Sequence, residues 1–177
     1  MVLICLTLSV FSLFQTISAY EDRISVIEQK NITFELASEQ DYNISTNATM
    51  AMSMQEISIN STKGDGKNAS IVIMSVSLDA QGGQGINQSE FSSFMENIFM
   101  GALRLGNGRE LESVVVKSAM GQNVTLHRIV MPSGINKPAT EALSAFWDLD
   151  EFNHVILTSE IGMNATKEIV ETLKLAP

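Results

Sequence analysis

The sequence predicts an α+β domain: a single antiparallel sheet of about six to seven strands with two flanking helices, in the order strands, helix, strands, helix. Three observations predict it. Pairs of runs with period-two alternation are joined by short turn-forming segments, which implies hairpins and antiparallel pairing. One long apolar series in mid-chain repeats at helical spacing, and a shorter one closes the chain.

Taken in order, residues 31–36 (NITFEL) place Ile32, Phe34 and Leu36 on one strand face. Residues 50–59 alternate as Met50, Met52 and Met54, then resume out of phase at Ile57 and Ile59, a slip that predicts a bulge near Gln55 and Glu56. A turn rich in Gly and Asp (STKGDGKNAS) leads to a strand over residues 71–78 (IVIMSVSL), so the two flanking runs form a hairpin. After a Gly-rich connection over residues 79–88, Phe91, Phe94, Met95, Ile98, Phe99, Ala102 and Leu103 form a continuous helical stripe. Asn87 and Glu90 have capping-box spacing ahead of it, and Gly106 supplies the stop.

Beyond that helix, residues 111–118 and 124–131 predict a second hairpin about Met120 and Gly121. Residues 142–147 and 154–160 predict a third, about Asp148, Leu149 and Asp150. A last helix over residues 164–175 would bury Ile169, Val170 and Leu173. No repeat or proline-rich linker divides the chain, so the organisation read is a signal segment (1–19), a lead-in (20–30) and one α+β domain (31–177).

The features that open and close this domain are Ile32-Thr33-Phe34-Glu35-Leu36, the mid-chain helix over residues 89–105, Gly121 ahead of a strand, Phe146-Trp147 in a late strand and the closing helix. Together they resemble the PsbP-like fold, an antiparallel sheet flanked by helices found in extrinsic photosystem subunits and in small secreted bacterial and archaeal envelope proteins. The resemblance covers about residues 24–175. Ala37-Ser38 stands where that fold usually has a proline and a tryptophan. It implies a binding or assembly role and brings no catalytic residues; a cystatin-like or other helix-on-sheet fold fits the same order of elements.

Export is indicated twice. Residues 1–19 hold an apolar run, VLICLTLSVFSLF, then QTISA, with the first acidic residues at Glu21 and Asp22. That is the layout of a secretory signal cut between Ala19 and Tyr20, although no basic residue precedes the apolar run. An uncleaved anchor is the alternative, weakened by Thr7, Ser9, Ser12, Gln15 and Thr16. Cys5, the sole cysteine, reads as an apolar h-region residue; a lipid-bearing cysteine would want a smaller neighbour than Ile4.

The second indication is Asn-x-Ser/Thr. Asn31, Asn43, Asn47, Asn60, Asn68, Asn87, Asn123 and Asn164 all begin such a triplet, eight of the twelve asparagines. With 31 Ser and Thr in 177 residues, chance would supply about two, so the triplets are read as N-glycan acceptors. All ionisable acidic and basic residues follow the signal, leaving net charge −9. That favours solubility and disfavours nucleic acid or anionic membrane as partners. Dense acceptors, acidic balance and a cysteine-free domain together suggest an archaeal envelope protein.

Candidate chemistry is sparse. Met50, Met52 and Met54 put three thioethers on one strand face, which could take Cu(I) or simply cover the sheet beneath a helix. Asp148, Asp150 and Glu151 share a turn and could offer oxygens to Ca²⁺, without the glycine or spacing of an EF-hand loop. His127 and His154 are the only histidines and lack zinc-site spacing. No Gly-x-Ser-x-Gly elbow or Gly-Lys-Ser/Thr phosphate loop occurs. The expectation is therefore a secreted, N-glycosylated binding or assembly domain without cofactor or catalytic residues, whose partner is an envelope protein or small ligand. The alternatives are a metal-dependent or hydrolytic enzyme built around His127 or His154, and copper binding by the Met face.

Overall fold

The computed structural model describes residues 24–26, 32–36, 41–49, 54–78, 90–131 and 138–175. Its strands are β1 (Ile24–Val26), β2 (Ile32–Thr33), β3 (Tyr42–Thr49), β4 (Met54–Ser61), β5 (Asn68–Leu78), β6 (Arg109–Lys117), β7 (Asn123–Met131), β8 (Thr140–Asp148), β9 (Asn153–Ser159) and β10 (Lys174–Leu175). Helix α1 (Phe91–Leu105) lies between β5 and β6, and helix α2 (Met163–Thr172) between β9 and β10.

Seven strands form one antiparallel sheet in the order β3-β4-β5-β9-β8-β7-β6, and β1 pairs with the far end of β5. Three local hairpins, β4-β5, β6-β7 and β8-β9, supply most of it. The single-sheet expectation is corrected in one respect: β2 and β10 make a separate two-stranded sheet, joining the start of the domain to its end. The last helix is accordingly shorter than its pattern suggested. Leu173 leaves the helix with extended backbone, and Lys174 and Leu175 pair with Thr33 and Ile32.

Period-two alternation gives the sheet two apolar faces. One carries Ile57, Ile59, Ile71, Leu126, Ala145, Trp147 and Leu157, packed under Ile169, Val170 and Leu173 of the α2 segment, all of them buried. The opposite face carries Met74, Ile129, Met131, Ala142 and Phe146 beneath Phe91, Met95, Phe99 and Leu103 of α1. One helix on each face explains why β8 reads as almost uninterrupted burial rather than as strict alternation.

The α1 stripe is bordered by Ser92, which is also buried, and by Glu96 one turn on, so polar groups enter the layer between helix and sheet. The helix starts after Glu90, with no side-chain cap; Asn87, where the capping box was anticipated, lies outside the described residues. Gly106 ends the helix as anticipated, and Asn107 beside it takes the left-handed conformation, φ 64°.

The slip in the methionine run is not a bulge. β4 pairs without interruption from Met54 to Asn60 on one side and to Ser61 on the other. The irregularity falls in β6 instead, between Glu110 and Glu112. Gly64, Gly66 and Gly121 all have positive φ in the hairpin turns where the sequence placed them.

Candidate functional site

Two polar clusters lie in the layer between α1 and the sheet. The first gathers at the turn between β8 and β9. His154, at the start of β9, faces α1 and is 2 % exposed. Its Nδ1 sits 2.6 Å from Asp148 Oδ1, and the Ser92 hydroxyl from α1 donates to that same oxygen. The ring of Phe91 stacks at a tilt, 4.5 Å between centroids. The other nitrogen, Nε2, is buried with no hydrogen-bond partner.

Serine, histidine and aspartate thus meet, but not in a nucleophilic order. A triad needs the imidazole between hydroxyl and carboxylate. Here the carboxylate lies between the other two, so the Ser92 proton faces Asp148 and no imidazole is placed to take it during attack. Behind it, Asp150 Oδ1 accepts from the amides of Phe152 and Asn153 at 2.8 Å each and from Asn153 Nδ2, while Asn153 Oδ1 accepts from Ser75 Oγ at 2.7 Å. These bonds close the β8-β9 turn as an Asx motif.

The second cluster surrounds His127 on β7. Its Nδ1 lies 2.7 Å from Glu110 Oε1 of β6 and its Nε2 3.0 Å from Glu96 Oε1 of α1. The imidazole side chain is 9 % exposed, the two carboxylates about three times as much. Both ring nitrogens are therefore occupied by protein oxygens, and the imidazole ties helix, β7 and β6 together.

On the opposite face an open groove of about 720 Å³ runs beside the start of α2. Tyr42, Ile161 and Met163 supply its apolar wall, and Lys63, Glu168 and Glu171 line it as well. Lys63 Nζ holds Asp41 Oδ2 at 2.7 Å, and that carboxylate keeps the ammonium protonated to higher pH than an ordinary lysine.

Met54 is half-buried and packs beside the α1 cluster, whereas Met50 and Met52 lie outside the described residues, so no three-thioether face is described. Asp148 and Asp150 are engaged by protein donors on different sides of their turn, and Glu151 is exposed. Among the described residues no group of three His, Cys, Asp or Glu is placed to hold a metal ion. Among the glycan acceptors, Asn43, Asn47, Asn60, Asn123 and Asn164 are exposed and Asn68 is half-buried; Asn31 and Asn87 lie outside the described residues. Likewise, the signal segment lies outside them, and no helix of the described residues is long and apolar enough to cross a membrane.

No protein family matches this chain, and no curated protein matches it.

Proposed function

We propose that this chain is an exported, N-glycosylated α+β domain that works by binding an envelope component rather than by catalysis. The observation that carries the reading is the use made of the two imidazoles. His127 has a carboxylate on each nitrogen, and His154 is buried against Asp148 and Phe91. Neither offers a nitrogen to an incoming molecule without rearrangement, and a general base must reach the proton it abstracts. The export half of the reading rests on the signal-like start and on the density of acceptor triplets.

We assign the partner to the groove beside α2. It combines an apolar wall (Tyr42, Ile161, Met163) with carboxylates and one lysine at the rim, a mixture suited to a polypeptide segment. The PsbP-like resemblance points the same way, since that fold serves in assembly.

A photo-reactive residue at Glu171, on the groove, should capture a discrete envelope protein in intact cells. The same probe at Leu105, which is 88 % exposed at the far end of α1, should not. Equal labelling from both positions, or none from either, overturns the proposal. The enzymatic alternative would have to be built at His127, because that is where one histidine and two partly exposed carboxylates meet.

A further inference from the structure

Asn43, Asn60 and Asn68 stand directly opposite one another across β3, β4 and β5. Opposed residues of an antiparallel sheet point to the same side, so these three acceptors form one row. Asn47 lies four residues further along β3, opposite Glu56, and therefore shares their face. It is the α1 face, because the alternate residues Ile57 and Ile59 pack under α2.

Yet α1 does not reach that part of the sheet. Its cluster ends with the half-buried Met54, Val72 and Ile156. Beyond them the face is polar: the asparagine row, and beside it Ser45, Ser58, Ser70 and Thr158, again in direct register. Asn123 opens β7 on the same face, since Val124 next to it packs on the α2 side. Of the six acceptors among the described residues, five thus share one face and Asn164, at the start of α2, stands apart.

We propose that N-linked glycans on Asn43, Asn47 and Asn60 cover the half of this face that α1 leaves bare, while Asn164 stays unmodified. The proposal rests on the export reading above. In a strand, an acceptor asparagine and the hydroxyl residue two positions on share a face, and Asn43 and Ser45 are both exposed. Asn47 and Asn60 are exposed as well, and Thr62 of the Asn60 triplet stays exposed although its hydroxyl donates to the Asp41 carbonyl. By contrast, Asn68 and Ser70 of its triplet are both half-buried, and the Ser70 hydroxyl donates to Glu56. Asn164 is the reverse case. Its Thr166 is 0 % exposed, with Oγ1 2.6 Å from Ser159 Oγ and 2.7 Å from the Gly162 carbonyl it donates to. Once α2 docks, the hydroxyl of that triplet is sealed, and the groove that Asn164 helps line stays clear of carbohydrate.

The donor class is a polyprenyl-phosphate- or pyrophosphate-linked oligosaccharide. The asparagine side-chain nitrogen bonds to the sugar C1, the C1–O bond to the carrier phosphate breaks, the carrier leaves as its phosphate, and the amide gives up one proton to base. The coat has a physical consequence. β3 is an edge strand with exposed Asn43 and Asn47, and bulky groups there block pairing with a second sheet. At the other edge, β6 has Arg109, Glu110, Glu112 and Lys117 for that purpose.

The test uses the native protein from the cell surface or medium, with intact mass and glycopeptide sequencing. Glycans should be found on Asn43, Asn47 and Asn60 and not on Asn164. The combined Asn43→Gln, Asn47→Gln, Asn60→Gln variant should lose three glycan masses and self-associate more readily, while its circular dichroism stays unchanged. An exported protein bare at these three positions, or one carrying its sugar on Asn164 instead, overturns this proposal and leaves export standing. A chain recovered only from the cytosol, full length and without sugar, overturns both.

Discussion

Ser92 and His154 bond the same atom, Oδ1 of Asp148, rather than each other. One carboxylate therefore joins α1, through Ser92, to the β8-β9 turn beneath it. Asp148→Ala removes the acceptor from two buried donors at once and should destabilise the fold by ~2–4 kcal/mol. Ser92→Ala removes only one donor and should cost ~1 kcal/mol. Urea unfolding of the two variants checks the ranking; equal losses would mean that the carboxylate is satisfied some other way.

Gly101 and Gly108, on either side of the helix end, should respond in opposite directions to alanine. A Cβ on Gly108 would lie 2.3 Å from Leu103 Cδ1 and 2.9 Å from the Val130 carbonyl oxygen, in a spot where Leu103 is 1 % exposed. Gly108→Ala should cost ~1–3 kcal/mol by overpacking. At Gly101, inside α1, a Cβ meets nothing within 4 Å. There alanine should stabilise by ~0.5–1 kcal/mol through helix propensity. Thermal unfolding of both variants gives the signs directly.

How much of this was legible in the sequence depends on how local the cause was. The hairpins β4-β5, β6-β7 and β8-β9 were readable because alternation and turn chemistry sit in adjacent residues. β3 was not, because Tyr42 to Thr49 (YNISTNAT) is an edge strand with a polar, exposed face and presents little apolar alternation. The β2-β10 sheet was invisible for another reason. It consists of two residues on each strand, and the pairing depends on where α2 brings the chain back. The polar clusters were equally hidden. His127 finds its carboxylates 17 and 31 residues away, and only the sheet register and the docking of α1 unite them. The face shared by the glycan acceptors follows from strand parity, which becomes usable once β3 is known to pair with β4.

His127 should couple energetically to Glu96 as well as to Glu110, since each carboxylate faces its own ring nitrogen. A double-mutant cycle of His127→Phe with Glu96→Gln should return an interaction of ~0.5–3 kcal/mol, and the cycle with Glu110→Gln a similar one. The Glu96 cycle also reports on helix docking, because Glu96 belongs to α1 and Glu110 to β6. A null result at Glu96 alone would show that α1 is held by its apolar stripe without help from this pair.

Ser144 should be better replaced than kept, as far as stability is concerned. It is 0 % exposed beneath α1, and its hydroxyl has no partner. It stands in a row of polar side chains crossing the whole sheet, opposite His127 on one side and Thr158 on the other. His127 already has both nitrogens filled and so makes no bond to it. A buried hydroxyl left unpaired costs ~1–3 kcal/mol, while alanine fills nearly the same space without a polar atom. Ser144→Ala should therefore raise stability by ~1 kcal/mol. A loss of that size in urea unfolding would instead place a bound water on Ser144, bridging it to a neighbour in the row.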